Sequence, residues 1–391
     1  MVVEIAPDLA LSALDVSDLI LEVSAPEYSP GGIEDVVDSL TQPELWLGAL
    51  AGGAFGAALG ALPAFVFTGF LVIAGSLGGG GFGVGVGFGP VFGPHISFAG
   101  GAAAAAYAAS RGKMESGFDY HNGKDITFAL GSRPDILAVG AAFGAFGLLL
   151  EQLSRQLALP LDPIPLSIVI SALVHRLVFG YSVIGIVSDK ADGILDMSPF
   201  EREETRDAGE VVGDGEKDGA DRLAVEPWLP EMYKWSHVAT IGVVAGLAAA
   251  VITHRMIVGA GHGGVAVFAG FGISAASLLF LNLGIGRIPV THHMTLPAAT
   301  AYAATNESTM TALGVDPSAG IAFGAAGAII VGAIFGLYGA LAGEFLQRIF
   351  YAHSDTHFDP PAASIVVTTA TIGILFLAGI FAWGVWVPGT V

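Results

Sequence analysis

The chain has no cysteine and few charged residues, and each shortage excludes a class of protein. Only 13% of its 391 residues are charged, whereas ordinary soluble domains carry about 25%. Without cysteine the chain is not a disulfide scaffold. With 15 lysines and arginines and no basic face, it is not a nucleic-acid binder. No basic stretch followed by an apolar stretch begins the chain, so we expect no cleaved secretory signal.

Apolar residues and glycine dominate the composition instead. Hydrophobic residues make up 53% of the chain, and 56 residues are glycine. A membrane-spanning helix needs about 20 mostly apolar residues, and most of the apolar blocks in this sequence are of that length. The sequence therefore predicts an all-α polytopic membrane protein. The blocks cover residues 45–62, 64–80, 90–110, 134–156, 163–188, 236–256, 262–284, 289–305, 317–347 and 362–388.

Acidic residues are concentrated in two segments that we expect to lie outside the bilayer. Residues 1–44 hold ten acidic and no basic residues, and residues 189–235 hold fourteen acidic and six basic residues. We interpret the first as an acidic extramembrane N-terminal segment and the second as an acidic, solvent-exposed linker. Such an acid excess keeps a surface hydrated in high salt, which favours the cell membrane of a haloarchaeon. An acidic tail that repels or recruits partners is the alternative.

The linker separates two membrane segments, residues 45–188 and 236–391, that share features in the same order. Six matches in register predict an internal repeat, with two homologous halves of about five membrane helices or half-helices each. The matched residues are Trp46 with Trp235, His95 with His292, Tyr107 with Tyr302, Gly131 with Gly314, Glu151 with Glu344, and Asp162 with Asp359.

Two short blocks determine how the halves are related. Each starts after Pro and Gly, and each offers only 17 residues, from Pro94 to Ser110 and from Pro289 to Thr305. As full crossings they give ten helices and inverted halves, whereas as re-entrant half-helices they give eight crossings and parallel halves. The distribution of Lys and Arg fits both topologies. We favour ten crossings and inverted halves, because inverted repeats are common in transporters and channels.

Glycines recur at every fourth position on several predicted helices, for example Gly140 and Gly144. Such rows let helix backbones touch, so they predict close packing within the membrane. The glycine run over residues 78–89 contains a G-x-G pattern, but it lacks the strand, the helix start and the lysine of a phosphate loop. We therefore predict a packing role for these glycines and no nucleotide site.

Polar side chains inside apolar blocks are costly unless they are paired or hydrated, so they mark candidate functional residues. The main set stands at the start of the third block of each half, beside helix N-termini, where it would line a narrow path between the halves. A set of helix caps and interfacial histidines is the alternative. Because imidazole titrates near pH 6.5, we expect flux along such a path to change between about pH 5 and 8. The set is His95, Ser97, Thr291, His292, His293 and Thr295.

The strings Gly93-Pro-His-Ile-Ser-Phe-Ala99 and His293-Met-Thr-Leu-Pro-Ala298 resemble the Gly-His-Ile-Asn-Pro-Ala half-helix starts of aquaporins, which also have two inverted halves. The Asn-Pro-Ala triplet is absent from both strings. Asn supplies the hydrogen-bond donor at the centre of the aquaporin pore. The resemblance therefore implies a similar architecture, and it implies neither the aquaporin pore chemistry nor membership of that family.

Charged residues near the ends of the apolar blocks form a second candidate set. Two acid–base pairs have the favourable i, i+4 spacing on a helix, which fits structural pairing at the membrane interface or a role in ion or proton movement. A His-Arg dipeptide in the first half has no counterpart in the second, and its arginine needs a carboxylate or a water-filled cavity. The residues are Glu151, Arg155, Glu344, Arg348, His175 and Arg176.

A third set recurs at every second position: His353, Asp355, His357 and Asp359. In an extended loop this spacing places all four side chains on one side, and imidazole with carboxylate suits zinc or another divalent ion. A solvated, salt-tolerant loop is the alternative, and we favour it over a metal site. We expect no cofactor other than a metal at residues 353–359.

The leading functional hypothesis is a membrane channel or secondary transporter for a small polar solute or ion, with a path between the two repeats. A non-transporting membrane scaffold is the alternative. In both cases we expect the lipid bilayer and further copies of the chain, as a homo-oligomer, to be partners, and no nucleic acid. The sequence contains no Ser–His–Asp spacing, paired catalytic acids or H-E-x-x-H motif, so we predict that it is not an enzyme.

Overall fold

The computed structural model describes residues 40–78, 81–116, 121–207, 209–210 and 222–385. Within these ranges the chain forms helices and no β-strand, which confirms the all-α prediction. Most of the acidic N-terminal segment, and the centre of the acidic linker, lie outside the described residues.

The first membrane segment contains six helices, and the second also contains six within the described residues. The first six are α1 Pro43–Leu59, α2 Ala61–Leu77, α3 Gly81–Gly87, α4 Ser97–Ser110, α5 Pro134–Gln156 and α6 Pro163–Phe179. A short helix, α7 Ser198–Glu201, lies in the linker. The last six are α8 Trp235–His254, α9 Ala269–Asn282, α10 His292–Ala303, α11 Glu307–Ala312, α12 Ala325–Phe350 and α13 Pro360–Leu377.

Five helical stretches among the described residues are long and apolar enough to span a membrane, or six if α1 and α2 are one broken span. Only 33% to 56% of their most apolar windows is buried inside the protein, so much of their apolar surface faces outward. Ile330, Ile334 and Ile374, for example, are 58%, 56% and 59% exposed. Soluble monomers rarely expose large continuous apolar surfaces. These surfaces support a membrane-embedded protein. The five stretches are Pro134–Gln156, Trp235–Gly259, Gly264–Asn282, Ala325–Phe350 and Pro360–Leu377.

The two blocks that decide the topology form helices too short to cross the bilayer. α4 has 14 residues and α10 has 12, so they rise about 21 and 18 Å, against about 30 Å of hydrocarbon. The residues before each helix, which include Pro94 and Pro289, are not helical. The structure therefore does not support our preference for ten full crossings. The pair α1 and α2 also departs from simple crossings, because it bends by 119° at Gly60, whose φ is +95°.

Contacts within each membrane segment follow the same order. α1 packs against α5 and α4, and α8 packs against α12 and α10. α4 packs against α5 and α6, and α10 packs against α12 and α13. The two segments meet mainly where α2 packs against α9 and α6 packs against α13. The space between the segments is therefore bounded by these four helices and by the ends of α4 and α10.

The linker differs from the solvent-exposed segment that we expected. Its last part is packed against the end of α12: the N–H of Glu226 donates to the carbonyl of Ala352 at 3.0 Å, and the N–H of Trp228 donates to Gln347 Oε1 at 3.2 Å. Ala224 and Val225 have no exposed surface. Residues 223–233 contain many apolar side chains, and their burial holds this part of the linker on the protein.

Glycines at the helix contacts let backbones approach closely, as predicted. A Cβ atom added at Gly147 of α5 would lie 1.7 Å from the carbonyl oxygen of His95, and one added at Gly339 of α12 would lie 2.2 Å from that of His293. Such distances are well inside van der Waals contact, and the obstructing atoms belong to backbone. The helices would have to separate to admit any side chain at these positions.

Gly147→Ala is therefore expected to lower the free energy of unfolding by about 1–3 kcal/mol, the usual cost of overpacking. The measurement is an unfolding curve in detergent. Gly85→Ala is the matched control, because a Cβ there meets nothing within 4 Å and alanine favours helix by about 1 kcal/mol over glycine. Equal stability of the two variants would show that the close contact at Gly147 is absent.

Candidate functional site

A cavity of about 620 Å³ lies between the two membrane segments. Leu62 and Phe65 of α2 form part of its wall, and Leu278 and Leu281 of α9 form another part. We call it the central cavity. Its volume falls within the range of about 300–1,000 Å³ that is typical of small-molecule sites. Other residues that line it include Phe98, Ile126, Trp228, Val290, Tyr351 and His357.

One end of the central cavity lies beside the linker and is accessible to solvent. Glu231 and Arg287 line the cavity there, and their side chains are 54% and 85% exposed. Glu231 Oε1 lies 3.6 Å from Arg287 Nε. We call this end the mouth. Linker residues 228–231 form part of its edge, so the folded linker is part of the cavity.

Away from the mouth, the central cavity adjoins a much smaller cavity. Phe65, Pro94, His292 and Asp359 line both the central cavity and a second cavity of only about 30 Å³, which we call the inner cavity. We call these four residues the floor. His292 is 5% exposed, and its ring centroid lies 4.9 Å from that of Phe65 and 5.8 Å from that of Phe271. The inner cavity has room for a few water molecules at most.

Two aspartates line the inner cavity, one from each membrane segment. Asp162 precedes α6 and Asp359 precedes α13, and each is followed by proline, which suits the first turn of a helix. The Asp162 carboxylate accepts a hydrogen bond from the N–H of Ile164 at 3.0 Å, and the N–H of Asp162 donates to Thr369 Oγ1 at 3.1 Å. Among the described residues, no Lys or Arg forms an ion pair with either carboxylate.

Buried charges connect the linker to both membrane segments. Lys124 Nζ lies 2.6 Å from Glu226 Oε2 and 4.5 Å from the centroid of the Tyr351 ring, and its side chain has no exposed surface. Arg222 forms ion pairs with both Glu226 and Asp355. We call Lys124, Glu226, Arg222 and Asp355 the ion network. It joins the loop before α5, the linker and the loop after α12.

The carboxyl of Glu226 makes the stability of this network depend on pH in the acid range. Burial by itself raises the pKa of the Glu226 carboxyl, but the charges of Lys124 and Arg222 outweigh burial and lower the pKa from 4.5 to about 2. As the pH falls, the unfolded chain therefore takes up this proton before the folded chain does. The stabilisation is complete above about pH 4.5 and is lost as the pH falls toward 2.

We therefore expect the wild-type protein to lose about 3 kcal/mol more stability than Glu226→Gln when the pH is lowered from about 5 to about 2. Glutamine keeps the shape of the side chain but cannot titrate, so the difference between the two profiles isolates this carboxyl. The measurement is the free energy of unfolding at several pH values across that interval. Parallel profiles would show that Glu226 is not charge-paired in the folded protein.

Arg176 is fully buried, and neutral oxygens hold its guanidinium. Its N–H groups donate to Thr356 Oγ1 at 2.9 Å, to the Thr356 carbonyl at 2.9 Å, to Ser354 Oγ at 2.8 Å and to the Val183 carbonyl at 2.6 Å. From the sequence we expected a carboxylate or a water-filled cavity. The loop after α12 supplies the partners instead. The neighbouring His175 lies against the Phe143 ring, with centroids 6.2 Å apart.

The histidines of the predicted path occupy different environments. His95 Nε2 lies 3.1 Å from Glu151 Oε2, and Glu151 Oε1 accepts from Arg155 Nε at 2.9 Å. His292 belongs to the floor. His293 lies behind it, with its ring centroid 5.9 Å from that of Trp228 and 5.9 Å from that of His292. His95 therefore joins the charged pair of α5 and is not among the residues that line the central and inner cavities.

The predicted hydroxyl residues bond locally. Ser97 Oγ donates to the carbonyls of Phe92 and Gly93 at 3.3 and 3.4 Å. Thr291 Oγ1 lies 2.6 Å from Ser274 Oγ, and Thr295 Oγ1 donates to the His292 carbonyl at 3.3 Å. These bonds help to position the starts of α4 and α10. None of the three predicted residues lines the central or the inner cavity.

The second predicted acid–base pair anchors the linker. Glu344 Oε1 accepts from Arg348 Nε at 2.6 Å. Arg348 also donates to the carbonyls of Leu195 and Tyr233 at 2.8 and 3.0 Å, and its guanidinium lies 4.5 Å from the centroid of the Trp235 ring. The contacts of this pair favour structural pairing, because they hold both ends of the linker at the end of α12.

The solvated loop that we favoured at the predicted metal site is wrong, because His353, Asp355 and His357 are buried. The residues of this set face different partners. His353 Nε2 lies 3.1 Å from the Ile194 carbonyl, and Asp355 pairs with Arg222. His357 lies between the rings of Phe98 and Tyr351, whereas Asp359 belongs to the floor. Residues 351–354 form a hydrogen-bonded turn, so the alternate spacing does not place the side chains on one side. No three His, Cys, Asp or Glu side chains converge among the described residues.

Several residues of the site were not predicted from the sequence. Phe65 carries no polar group, and it resembles the many other phenylalanines of the apolar blocks. Lys124 and Glu226 lie in segments that read as polar loops. One signal was available: residues 223–229, Leu-Ala-Val-Glu-Pro-Trp-Leu, form an apolar stretch within an acidic linker. That stretch predicts a packed segment, with Glu226 at its centre.

These features define a class: an all-helical, membrane-type protein with a cavity between two helical segments, open at one end and adjoining a smaller cavity at its floor. The chain belongs to a family of unknown function, DUF7973, which matches residues 35–390. No curated protein and no solved structure matches the chain. The family description names no activity, so the function has to be inferred from the site.

Proposed function

We propose that the protein is a membrane channel or secondary transporter for a small polar solute or ion, and that the solute passes through the central cavity, the floor and the inner cavity. One observation carries this proposal: both membrane segments line a single cavity that is open at the mouth and adjoins a much smaller cavity at the floor. Transporters commonly place their sites between repeats near the middle of the membrane. The floor is then the gate or the binding site of the path.

The proposal includes duplication of the two membrane segments. Gly147 lies over the His95 carbonyl, as Gly339 lies over the His293 carbonyl. The order in which helices pack is also the same in both segments. These contacts match His95 with His293, one residue beyond the match that the sequence suggested, and they place Gly343 where the first half has Glu151. In this proposal the two halves thus have the same arrangement of helices, but only the first carries a charged side chain at this position.

We further propose that the halves are inverted, although α4 and α10 are too short to cross, because the contacts at the helix ends do not depend on the number of crossings. The end of α1 lies beside the loop before α5, because the N–H of Leu130 donates to the Ala57 carbonyl at 3.3 Å. That loop meets the loop after α12, where the N–H of His357 donates to the Gly123 carbonyl at 3.0 Å. Tyr233, just before α8, is bonded to the last turn of α12. The end of α1 and the start of α8 thus lie on the same side, as in inverted repeats.

The proposed setting is the cell membrane of a haloarchaeon, with the chain as a homo-oligomer. The acid excess of the chain, 35 acidic against 15 basic residues, supports a surface adapted to high salt. Exposed apolar side chains on the outer faces of the helices would contact lipid or a second copy of the chain. Catalysis is not part of this proposal.

Flux measurements in proteoliposomes at high salt test the proposal. Because the chain has no cysteine, a single cysteine can be labelled selectively. We expect the protein to raise the uptake of at least one small polar solute or ion. A charged methanethiosulfonate at Leu281→Cys, in the central cavity, should block this uptake, and at Thr311→Cys, an exposed position outside both cavities, it should not. Folded protein without flux for any solute in a broad screen would favour the scaffold alternative.

A further inference from the structure

We infer that the floor of the central cavity binds an organic ammonium cation, with the Asp359 carboxylate as counter-charge and the neighbouring rings as walls. This inference rests on the proposed function, since it names the class of solute that the path would take. Binding and transport are nevertheless separate measurements, so each can fail without the other.

The charges around the central cavity favour a cation over an anion. Lys124 and Arg287 are the basic residues that line it. Lys124 Nζ is bound to Glu226 at 2.6 Å, and Arg287 lies at the mouth, 3.6 Å from Glu231. Asp359 lies at the floor and has no ion pair with Lys or Arg in the described part of the chain. Burial raises the pKa of the Asp359 carboxyl to about 7, and a cation bound beside it would favour the charged form. The carboxyl at the floor is therefore available as the counter-charge of a ligand.

Aromatic rings line the same cavity as this carboxylate. Ring centroids lie 5.9 Å apart between Phe65 and Phe98, 4.9 Å apart between Phe65 and His292, and 5.7 Å apart between Phe98 and His357. All four rings and Asp359 line the central cavity. Aromatic faces attract cations, most strongly where water is excluded, and quaternary ammonium groups are recognised by such rings.

Two buried histidines supply a second, independent indication of a ligand. His292 and His357 are 5% and 3% exposed, and both line the central cavity. Nδ1 of His292 and both ring nitrogens of His357 have no hydrogen-bond partner within the described part of the protein. Buried polar side-chain atoms are usually hydrogen-bonded. A ligand that carries an N–H or O–H group next to its cation would provide the missing partner.

The chemistry of the floor favours an organic over an inorganic cation. Inorganic cations are held by several oxygen ligands at once, whereas the floor combines the carboxylate of Asp359 with Phe65, Pro94 and His292. An alkylated ammonium satisfies both parts of this surface, because its charge faces the carboxylate and its methyl groups face the rings. A volume of about 620 Å³ admits a molecule of that kind.

The test is the binding of radiolabelled choline to the detergent-purified full-length protein at constant ionic strength. We expect saturable binding that tetramethylammonium displaces. The neutral isostere 3,3-dimethylbutan-1-ol, and NaCl exchanged for KCl, should not displace it. Displacement by the isostere as effective as that by tetramethylammonium would overturn the role of charge. If Na⁺ or K⁺ displaced labelled choline as effectively as unlabelled choline does, the choice of an organic cation would be overturned. No choline binding to folded wild-type protein would overturn the inference as a whole.

Variants locate the site. Asp359→Asn should weaken choline binding at least about tenfold, because the quaternary ammonium loses its counter-charge in a site that largely excludes water, and Phe65→Leu should weaken it by a smaller factor. Asp316→Asn is the matched control, because that aspartate is bonded to Ser318 in a loop outside the cavity. Unchanged binding by folded Asp359→Asn would overturn the assignment. If a variant does not fold, the comparison of choline with its neutral isostere on the wild-type protein still tests whether binding requires the positive charge.

Flux assays with the same compounds separate this inference from the proposed function. Choline binding without flux of any solute would sustain the ammonium site and overturn transport. Flux of another solute, without choline binding to the folded protein, would sustain transport and overturn the ammonium site.

Discussion

Glu226→Ala is expected to lower the free energy of unfolding by about 3–5 kcal/mol at neutral pH. The substitution leaves Lys124 buried without its closest counter-charge, and breaking a buried pair by removing one partner costs about that much. It also takes one of the two carboxylates away from Arg222. Because the ion network holds the linker against both membrane segments, the loss should loosen the mouth of the central cavity as well. Unfolding curves in detergent measure the first effect, and protease sensitivity of the linker measures the second.

Two controls show whether burial is the cause. Glu231→Ala removes one partner of the exposed pair with Arg287, and exposed pairs contribute about 0–1 kcal/mol. Replacing both Lys124 and Glu226 by methionine removes both charges, so it should cost less than Glu226→Ala alone. A Glu226→Ala variant no less stable than Glu231→Ala would show that Lys124 is hydrated in the folded protein.

Substitution of His292 is expected to have the largest effect on flux. His292→Gln removes a ring that packs against Phe65 and Phe271 at the floor of the central cavity. A change of about 1.4 kcal/mol in the barrier there changes the rate about tenfold, so we expect the flux per folded protein to change by about that factor or more. His293→Gln, one residue behind the floor, should have a smaller effect.

The comparison for this prediction is His237→Gln, since His237 is exposed near the start of α8. Flux is measured in liposomes with the amount of folded protein determined in parallel. If His292→Gln and His293→Gln lower thermal stability but leave the flux per folded protein unchanged, the histidines are helix caps. That result would show that the floor is not part of a path, and it would favour the scaffold alternative.

Parts of the fold could be predicted because they follow from local chemistry. Apolar blocks of spanning length gave the long helices, since burial of apolar side chains and the backbone's need for internal hydrogen bonds both favour helix in a membrane. The glycine rows gave the close helix contacts. The two short blocks do not form full crossings. Their length was counted in apolar residues, and Pro94 and Pro289 lie in stretches that are apolar but not helical.

Less of the candidate site could be predicted. His292 was expected beside a path and does line the floor, whereas His95, at the matched position in the sequence, pairs with Glu151 instead. Asp359 was singled out as a metal ligand and lies at the floor. The sequence contained these residue types but not their partners, since the partners come from distant parts of the chain.

The sequence by itself determined the class: an all-helical, membrane-type chain with two acidic segments and glycine-mediated packing. These properties depend on composition and on the spacing of residues within one helix, so residues only a few positions apart determine them. Only the tertiary structure decided that Lys124 meets Glu226, that part of the linker is buried, and that Phe65, His292 and Asp359 close one cavity. Lys124 and Glu226, for example, are 102 positions apart, and the geometry of such contacts is set by how whole helices pack against one another.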